Sequence, residues 1–164
     1  QAEFIAVDMK DNIIEGGVGT PALAIFASTI LNSHLIIEPK YLWPNNPSYG
    51  IFFHTNLIKF QSELIIKFLE HHKKASYILR TSQSIAAEKI SKSFKIIDKK
   101  YAESILKISP KYCASLSDDY VNVTMEFAKV LYELGYVRRK LRIEDIFDFK
   151  FIKKVHPEKE HYSI

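Results

Sequence analysis

One segment of the chain decides the predicted fold: Ile13-Ile14-Glu15-Gly16-Gly17-Val18-Gly19-Thr20-Pro21-Ala22. A short apolar run leads into a glycine-rich turn, where glycine permits positive φ and a close approach of the backbone to a bound group. Thr20 is a suitable N-cap and Pro21 suits the first turn of a helix. The free N–H groups of such a helix start favour an anionic or strongly polar guest. We therefore predict a ligand site formed by Gly17, Val18, Gly19, Thr20 and Pro21.

The residues around this turn favour a βαβ unit. Residues 4–7 and 13–14 are typical of extended chain, residues 21–31 have apolar side chains at helical spacing, and residues 35–37 form a second aliphatic strand. Parallel strands need a crossover helix between them, and that helix covers the sheet. The sequence thus predicts an α/β start, followed by a further strand at residues 51–53.

The chain becomes almost wholly helical after residue 56. Apolar periodicity predicts a long helix from Leu57 toward Arg80, then helices over 84–94, 98–108 and 118–134, and a short final element over 143–152. Ser117 is the expected N-cap of the 118–134 helix, and Gly135 is its expected stop. We predict one compact unit, with an α/β ligand-lobe segment at 1–56 and a helical return segment at 57–164.

A loop rich in proline and asparagine connects the two segments, from Pro39 to Gly50. Trp43 and Tyr49 each combine an apolar ring with a polar tip, which suits the wall of a ligand pocket. An equal alternative is that these rings pack as core at the edge of the sheet. We include both residues in the predicted ligand site.

Composition sets the class of protein and its expected partners. The chain has 164 residues, of which 47% are hydrophobic, and a net charge of +4 that arises in its C-terminal part. This composition predicts a globular chain, and no pattern typical of nucleic-acid binding occurs. The basic segment Arg138-Arg139-Lys140-Leu141-Arg142 is better explained as a charged helix end and loop than as a phosphate contact.

Cysteine and histidine give no sequence pattern for a catalytic or metal site. Cys113 is the one cysteine, and no histidine is placed near it by spacing, so we expect it to be a packing residue. The six histidines form no i, i+4 pair on a helix face. We predict no metal, no cofactor and no catalytic residue.

The glycine turn also fits a dinucleotide-binding pattern. Gly17-Val18-Gly19-Thr20-Pro21-Ala22 matches G-x-G-x-x-[GA], and Glu38 lies near the expected position of a ribose-binding acid. A dinucleotide domain would continue to alternate strands and helices, whereas this chain becomes helical after residue 56. A nucleotide-binding α/β enzyme, using NAD or FAD, therefore stays the alternative hypothesis.

In their order, these segments resemble the C-terminal half of ABC-transporter solute-binding proteins of the nitrate, sulfonate, taurine and thiamine-precursor group. The resemblance depends on the turn at 12–22 and on the runs at 35–39, 49–53, 123–128, 134–137 and 141–148. It implies one lobe of the type 2 periplasmic-binding-protein fold, in which two lobes close around a ligand.

The resemblance implies capture of a small polar or anionic ligand for import, without catalysis. An ABC permease is the implied partner, and a homodimer could complete the cleft because the opening strands of the first lobe are not in this sequence. The implied location is periplasmic or at the cell surface, and the start at Gln1 rather than Met indicates a processed or trimmed product. Two alternatives remain: an enzyme of the menaquinone-biosynthesis type with the same fold, and a degenerate domain whose glycine turn packs against a partner.

Overall fold

Helix is the regular secondary structure of this protein. The structure is a computed structural model that describes residues 2–42, 49–109 and 112–161, in which helix makes up 63% and no β-strand occurs. The helices are α1 (Ala2–Lys10), α2 (Pro21–Ile30), α3 (Pro39–Leu42), α4 (Thr55–Phe60), α5 (Ser62–Thr81), α6 (Gln83–Ser93), α7 (Lys99–Ile108), α8 (Asp118–Glu133), α9 (Ile143–Ile146) and α10 (Phe149–Val155). The predicted α/β fold, with a periplasmic-binding-protein-like lobe and a βαβ start, is therefore wrong.

The segment predicted as the first strand, residues 4–7, lies inside helix α1. Ile5 and Met9 are four residues apart and both are half-buried, whereas Phe4 and Val7 are exposed. That is the pattern of one helical face, and a short apolar run does not distinguish it from a strand. Because residues 4–7 are helical, the first predicted strand of the α/β segment is absent.

The other predicted strands are irregular chain. Residues 13–14, 35–37 and 51–53 belong to neither a ladder nor a helix. Ile36 is 91% exposed and Ile13 is 68% exposed. A strand is stable only when its backbone groups pair with a neighbour and one face is covered. None of these segments pairs in a ladder, so aliphatic composition alone does not produce a sheet here.

Most of the predicted helices are confirmed, together with their caps. Helix α2 begins after Thr20, whose Oγ1 accepts a hydrogen bond from the N–H of Leu23 at 3.4 Å. Helix α8 begins after Ser117, whose hydroxyl accepts from the N–H of Tyr120 at 3.2 Å. It ends before Gly135, which has a φ of +79° and so uses the freedom of glycine to stop the helix.

Two predicted elements are interrupted. The long helix expected from Leu57 toward Arg80 breaks at Gln61 into α4 and α5. The final element breaks at Phe147 and Asp148 into α9 and α10, and the Asp148 carboxylate accepts from the N–H of Lys150 at 3.0 Å. At each break one helix ends and the next begins within one or two residues.

The chain folds into two compact units. Unit 1 comprises Gln1–Glu38 and Ile78–Pro110, in which α7 packs against α6 and α2, and α1 packs against α2. Its buried core consists of Ala86, Ala87, Ala102 and Leu106. The small alanine side chains let α6 and α7 approach closely. The Tyr101 hydroxyl donates to the Ala22 carbonyl at 3.0 Å and links α7 to α2.

Unit 2 comprises Pro39–Tyr77 and Lys111–Ile164. Its buried core consists of Ile65 and Leu69 from α5 with Phe151 and Ile152 from α10. Ala114, Leu116 and Val155 pack against this core. The segment before α8 and the segment after α10 are thus held by the same apolar cluster. Within the described residues, none of the helices has both the length and the apolar character needed to cross a membrane.

Candidate metal centre

The predicted glycine site lies in unit 1, and side-chain packing accounts for two of its glycines. Neither Gly17 nor Gly19 has a positive φ. A Cβ on Gly17 would lie 2.5 Å from a methyl carbon of Ile5, and a Cβ on Gly19 would overlap the side chain of Leu23. Val18 is 81% exposed, and Pro21 is at the start of α2. Ligand capture at this turn stays a prediction from the sequence.

The predicted aromatic wall lies in the other part of the chain. Tyr49 belongs to unit 2, where its carbonyl accepts a hydrogen bond from the Tyr120 hydroxyl at 2.6 Å. Its ring centroid is 6.1 Å from that of Tyr112. Trp43 lies outside the described residues. The predicted site residues therefore belong to different units, with Gly17 to Pro21 in one and Tyr49 in the other.

Two residues of the basic segment at 138–142 form local hydrogen bonds with Asp145. The Arg139 guanidinium donates to both carboxylate oxygens of Asp145, at 2.7 and 3.0 Å, and the N–H of Arg142 donates to one of them at 2.8 Å. The hydrogen bonds from Arg139, and then that from Arg142, hold the pKa of Asp145 well below its usual range. Asp145 thus orders the turn that leads into α9.

One group of side chains in unit 2 brings three potential metal ligands, a cysteine and two histidines, close together. Cys113, His156 and His161 each present a donor atom, and these atoms all lie within 4.8 Å of one another. Cys113 Sγ is 3.4 Å from His156 Nε2 and 3.4 Å from His161 Nδ1. The two imidazole rings meet edge to face, with centroids 5.1 Å apart. We call this group the Cys-His-His cluster.

Local packing explains how the Cys-His-His cluster is assembled. Cys113 lies in the irregular segment before α8, next to Ala114, which packs against the core of unit 2. His156 directly follows α10, and its N–H donates to the Ile152 carbonyl at 2.7 Å. Since Ile152 is buried in that same core, both sides of the cluster are anchored to one apolar body.

The orientation of His156 is set by its own backbone turn. Its side chain is 1% exposed, and its Nδ1 lies 3.0 Å from the carbonyl oxygen of Glu158. A carbonyl can only accept, so Nδ1 carries the proton and, in a neutral ring, Nε2 presents a lone pair toward Cys113. A thiol has a single proton, which Cys113 can donate to only one of the two rings that face it.

The two S–N distances in the cluster agree with those between ligands of a tetrahedral zinc ion. With Zn–S at about 2.3 Å and Zn–N at about 2.0–2.1 Å, the donor atoms of such a site lie about 3.3–3.6 Å apart. The S–N distances in the cluster are 3.4 Å. A ligating histidine also commonly donates its other ring N–H to a carbonyl, as His156 does toward Glu158.

A lysine and a glutamate lie beside the cluster. Lys73 on α5 forms an ion pair with the Glu158 carboxylate and donates to the Val155 carbonyl at 2.9 Å. The hydrogen bond from Lys73, together with a backbone hydrogen bond, lowers the pKa of Glu158 to about 2. Glu158 is therefore a carboxylate throughout the neutral range, and the pair as a whole adds no net charge.

The sequence prediction missed this cluster because it considered only helical spacing. His156 and His161 are separated by four residues and lie in irregular chain after α10. The spacing H-x₃₋₅-H is common among zinc ligands and could have indicated this pair. Cys113 lies 43 residues before His156, so no local pattern joins them. Sequence spacing indicated no histidine near Cys113, whereas in the structure two imidazole nitrogens lie 3.4 Å from its Sγ.

Comparison with protein-family models, with curated proteins and with solved structures finds no match to this chain.

Proposed function

We propose that this protein binds a zinc ion through Cys113 Sγ, His156 Nε2 and His161 Nδ1. One observation carries the proposal, namely the convergence of a thiol and two imidazole nitrogens within 4.8 Å of one another, with both S–N separations at 3.4 Å. Thiolate and imidazole together are ligands typical of Zn²⁺. The ion would connect the irregular segment before α8, which carries Cys113, with the irregular segment after α10, which carries His156 and His161.

The expected consequence of binding is a more stable unit 2. The ion would connect the segment before α8 to the segment after α10, which are separated by 43–48 residues in the sequence. A metal that binds the folded chain and not the unfolded chain shifts the folding equilibrium by mass action. We therefore propose a zinc-binding protein in which the metal holds together two segments that are distant in the sequence.

Cobalt titration tests the proposal, since Co²⁺ occupies zinc sites and reports its ligands by absorption. The wild-type chain is expected to give a thiolate-to-cobalt charge-transfer band that saturates at one equivalent and disappears on addition of Zn²⁺. Cys113→Ser should abolish this band. His156→Gln and His161→Gln should each weaken binding by at least the roughly 10–100-fold that loss of an outer-shell partner costs.

His34→Gln is the matched control, because His34 is an exposed histidine of unit 1. It should bind cobalt as tightly as the wild type. Far-UV circular dichroism in the presence of a chelator should show that each variant keeps its helices. Cobalt binding that is unchanged in Cys113→Ser, or absent from the wild type, contradicts the proposed function.

A further inference from the structure

We infer that Lys73 is a positioning residue of this zinc site, one that holds the turn at residues 155–158 so that His156 presents Nε2 to the metal. The inference deepens the proposed function and rests on it. Lys73 does not itself reach the Cys-His-His cluster as a ligand. It acts through the backbone that carries His156.

Helix α5 places Lys73 at the end of α10. Ile65, Leu69 and Lys73 follow one another at four-residue intervals, so they share one face of α5. Ile65 and Leu69 are buried against Phe151 and Ile152 of α10. The next position along that face meets the last turn of α10, where Lys73 Nζ donates to the Val155 carbonyl at 2.9 Å.

The two partners of Lys73 lie on either side of His156. Val155 precedes His156 directly, and its carbonyl is one of the last of α10, which lack partners within the helix. Glu158 follows His156 by two residues, and its carboxylate pairs with the same ammonium group. A single lysine thus holds the backbone carbonyl before the histidine and the side chain of the residue two positions after it. A cation at a helix C-terminus is also favourable on electrostatic grounds.

Glu158 connects the contacts of Lys73 with the imidazole ring of His156. Its carbonyl oxygen accepts the Nδ1 proton of His156 at 3.0 Å, which selects the tautomer with a lone pair on Nε2. A ring that is free to take the other tautomer or to turn would present N–H, and not a lone pair, to the metal. Outer-shell partners of this kind typically change metal affinity about 10–100-fold.

Lys73→Met is the test variant, since it keeps much of the aliphatic stem and removes both polar contacts. Lys74→Met is its matched control, because Lys74 is the next residue of α5 and is exposed. Cobalt affinity should fall about 10–100-fold in Lys73→Met and stay at the wild-type value in Lys74→Met. Lys73→Arg retains a cation at this position and should recover much of the affinity.

A second readout separates positioning from a merely structural role. Long-range ¹H–¹⁵N spectra of the metal-free chain report the tautomer of each histidine, and His156→Gln identifies the His156 signal. The wild type and Lys74→Met should show protonated Nδ1, and Lys73→Met should show a mixture of tautomers. Circular dichroism of the metal-free chains should show the same helix content in all of them.

Three outcomes would overturn the role of Lys73. The first is a cobalt affinity of Lys73→Met equal to that of the wild type. The second is an unchanged His156 tautomer in Lys73→Met. The third is a loss of cobalt affinity in Lys73→Met that accompanies a loss of helix. The proposed function fails separately, through absence of cobalt binding by the wild type. Normal binding by both the wild type and Lys73→Met would overturn only the inference about Lys73.

Discussion

Gly17 is a position where side-chain packing, and not backbone conformation, requires glycine. Its φ is not positive, but its Cα faces Ile5 of α1 so closely that a Cβ would lie 2.5 Å from a methyl carbon. That methyl group is attached to a branched Cβ and has little freedom to move away. Its neighbour Gly16 has no atom within 4 Å of the corresponding position. The two adjacent glycines therefore differ in what they tolerate.

Alanine at these two positions separates the effects. Gly17→Ala is expected to destabilise the protein by about 1–3 kcal/mol through overpacking against Ile5. Gly16→Ala should be neutral or stabilising by up to about 1 kcal/mol, because it reduces the freedom of the unfolded chain. Urea denaturation followed by circular dichroism measures both. Equal free energies of unfolding for the two variants would show that the contact with Ile5 does not constrain this turn.

The helices of this protein differ in how their first turns are capped. Ser117 accepts a hydrogen bond from the N–H of Tyr120 at 3.2 Å and so caps α8. Ser82 occupies the same position before α6 but makes no capping hydrogen bond with its side chain. The same residue type thus has two different roles. A serine at a helix start in the sequence does not by itself reveal which role it has.

Substitution of the two serines should reflect this difference. Ser117→Ala is expected to lower the free energy of unfolding by about 1 kcal/mol, because an N–H of α8 loses its partner. Ser82→Ala should change it by less than about 0.5 kcal/mol. Chemical denaturation of the two variants beside the wild type makes the comparison. A larger loss at Ser82 than at Ser117 would contradict the assigned capping roles.

The sequence allowed the long helices to be predicted because several independent signals agree there. In α8 the apolar periodicity is supported by three other signals. These are the cap at Ser117, the acidic pair Asp118 and Asp119 at the helix start, and the stop at Gly135. Residues 4–7 and 35–37 had only a short apolar run, which suits either state. Ile5 and Met9 are four residues apart, which is a helical spacing. The prediction of a strand at 4–7 considered only the aliphatic run and not this spacing.

For the molecule as a whole, the fold class predicted from the sequence was wrong, since the described residues form helices and no sheet. A sheet requires several strands that pair at the same time, so one misassigned segment removes the partner of the next. The candidate metal centre was not predicted either, because Cys113 and His161 are 48 residues apart in the sequence and come together only in the folded chain. Only the spacing of His156 and His161 was a local sequence signal for this site.

Zinc should stabilise the folded chain in a manner that identifies its site. Free Zn²⁺ at about 100 times its Kd is expected to add about 2.7 kcal/mol to the free energy of unfolding, and a chelator should remove it. Thermal denaturation with and without the ion measures the change. Mg²⁺ is the control ion, since it prefers oxygen ligands. A zinc effect that persists in Cys113→Ser would place the ion elsewhere.

The thiol of Cys113 is the only one in the 164 residues, and it is also the proposed sulfur ligand. Any reagent that alkylates or arylates cysteine therefore reacts with a single atom per chain. A coordinated thiolate is less available to such a reagent than a free one. The fraction of chains that resist labelling would accordingly count the chains that hold metal, so that stoichiometry could be determined by mass alone, without spectroscopy of the ion.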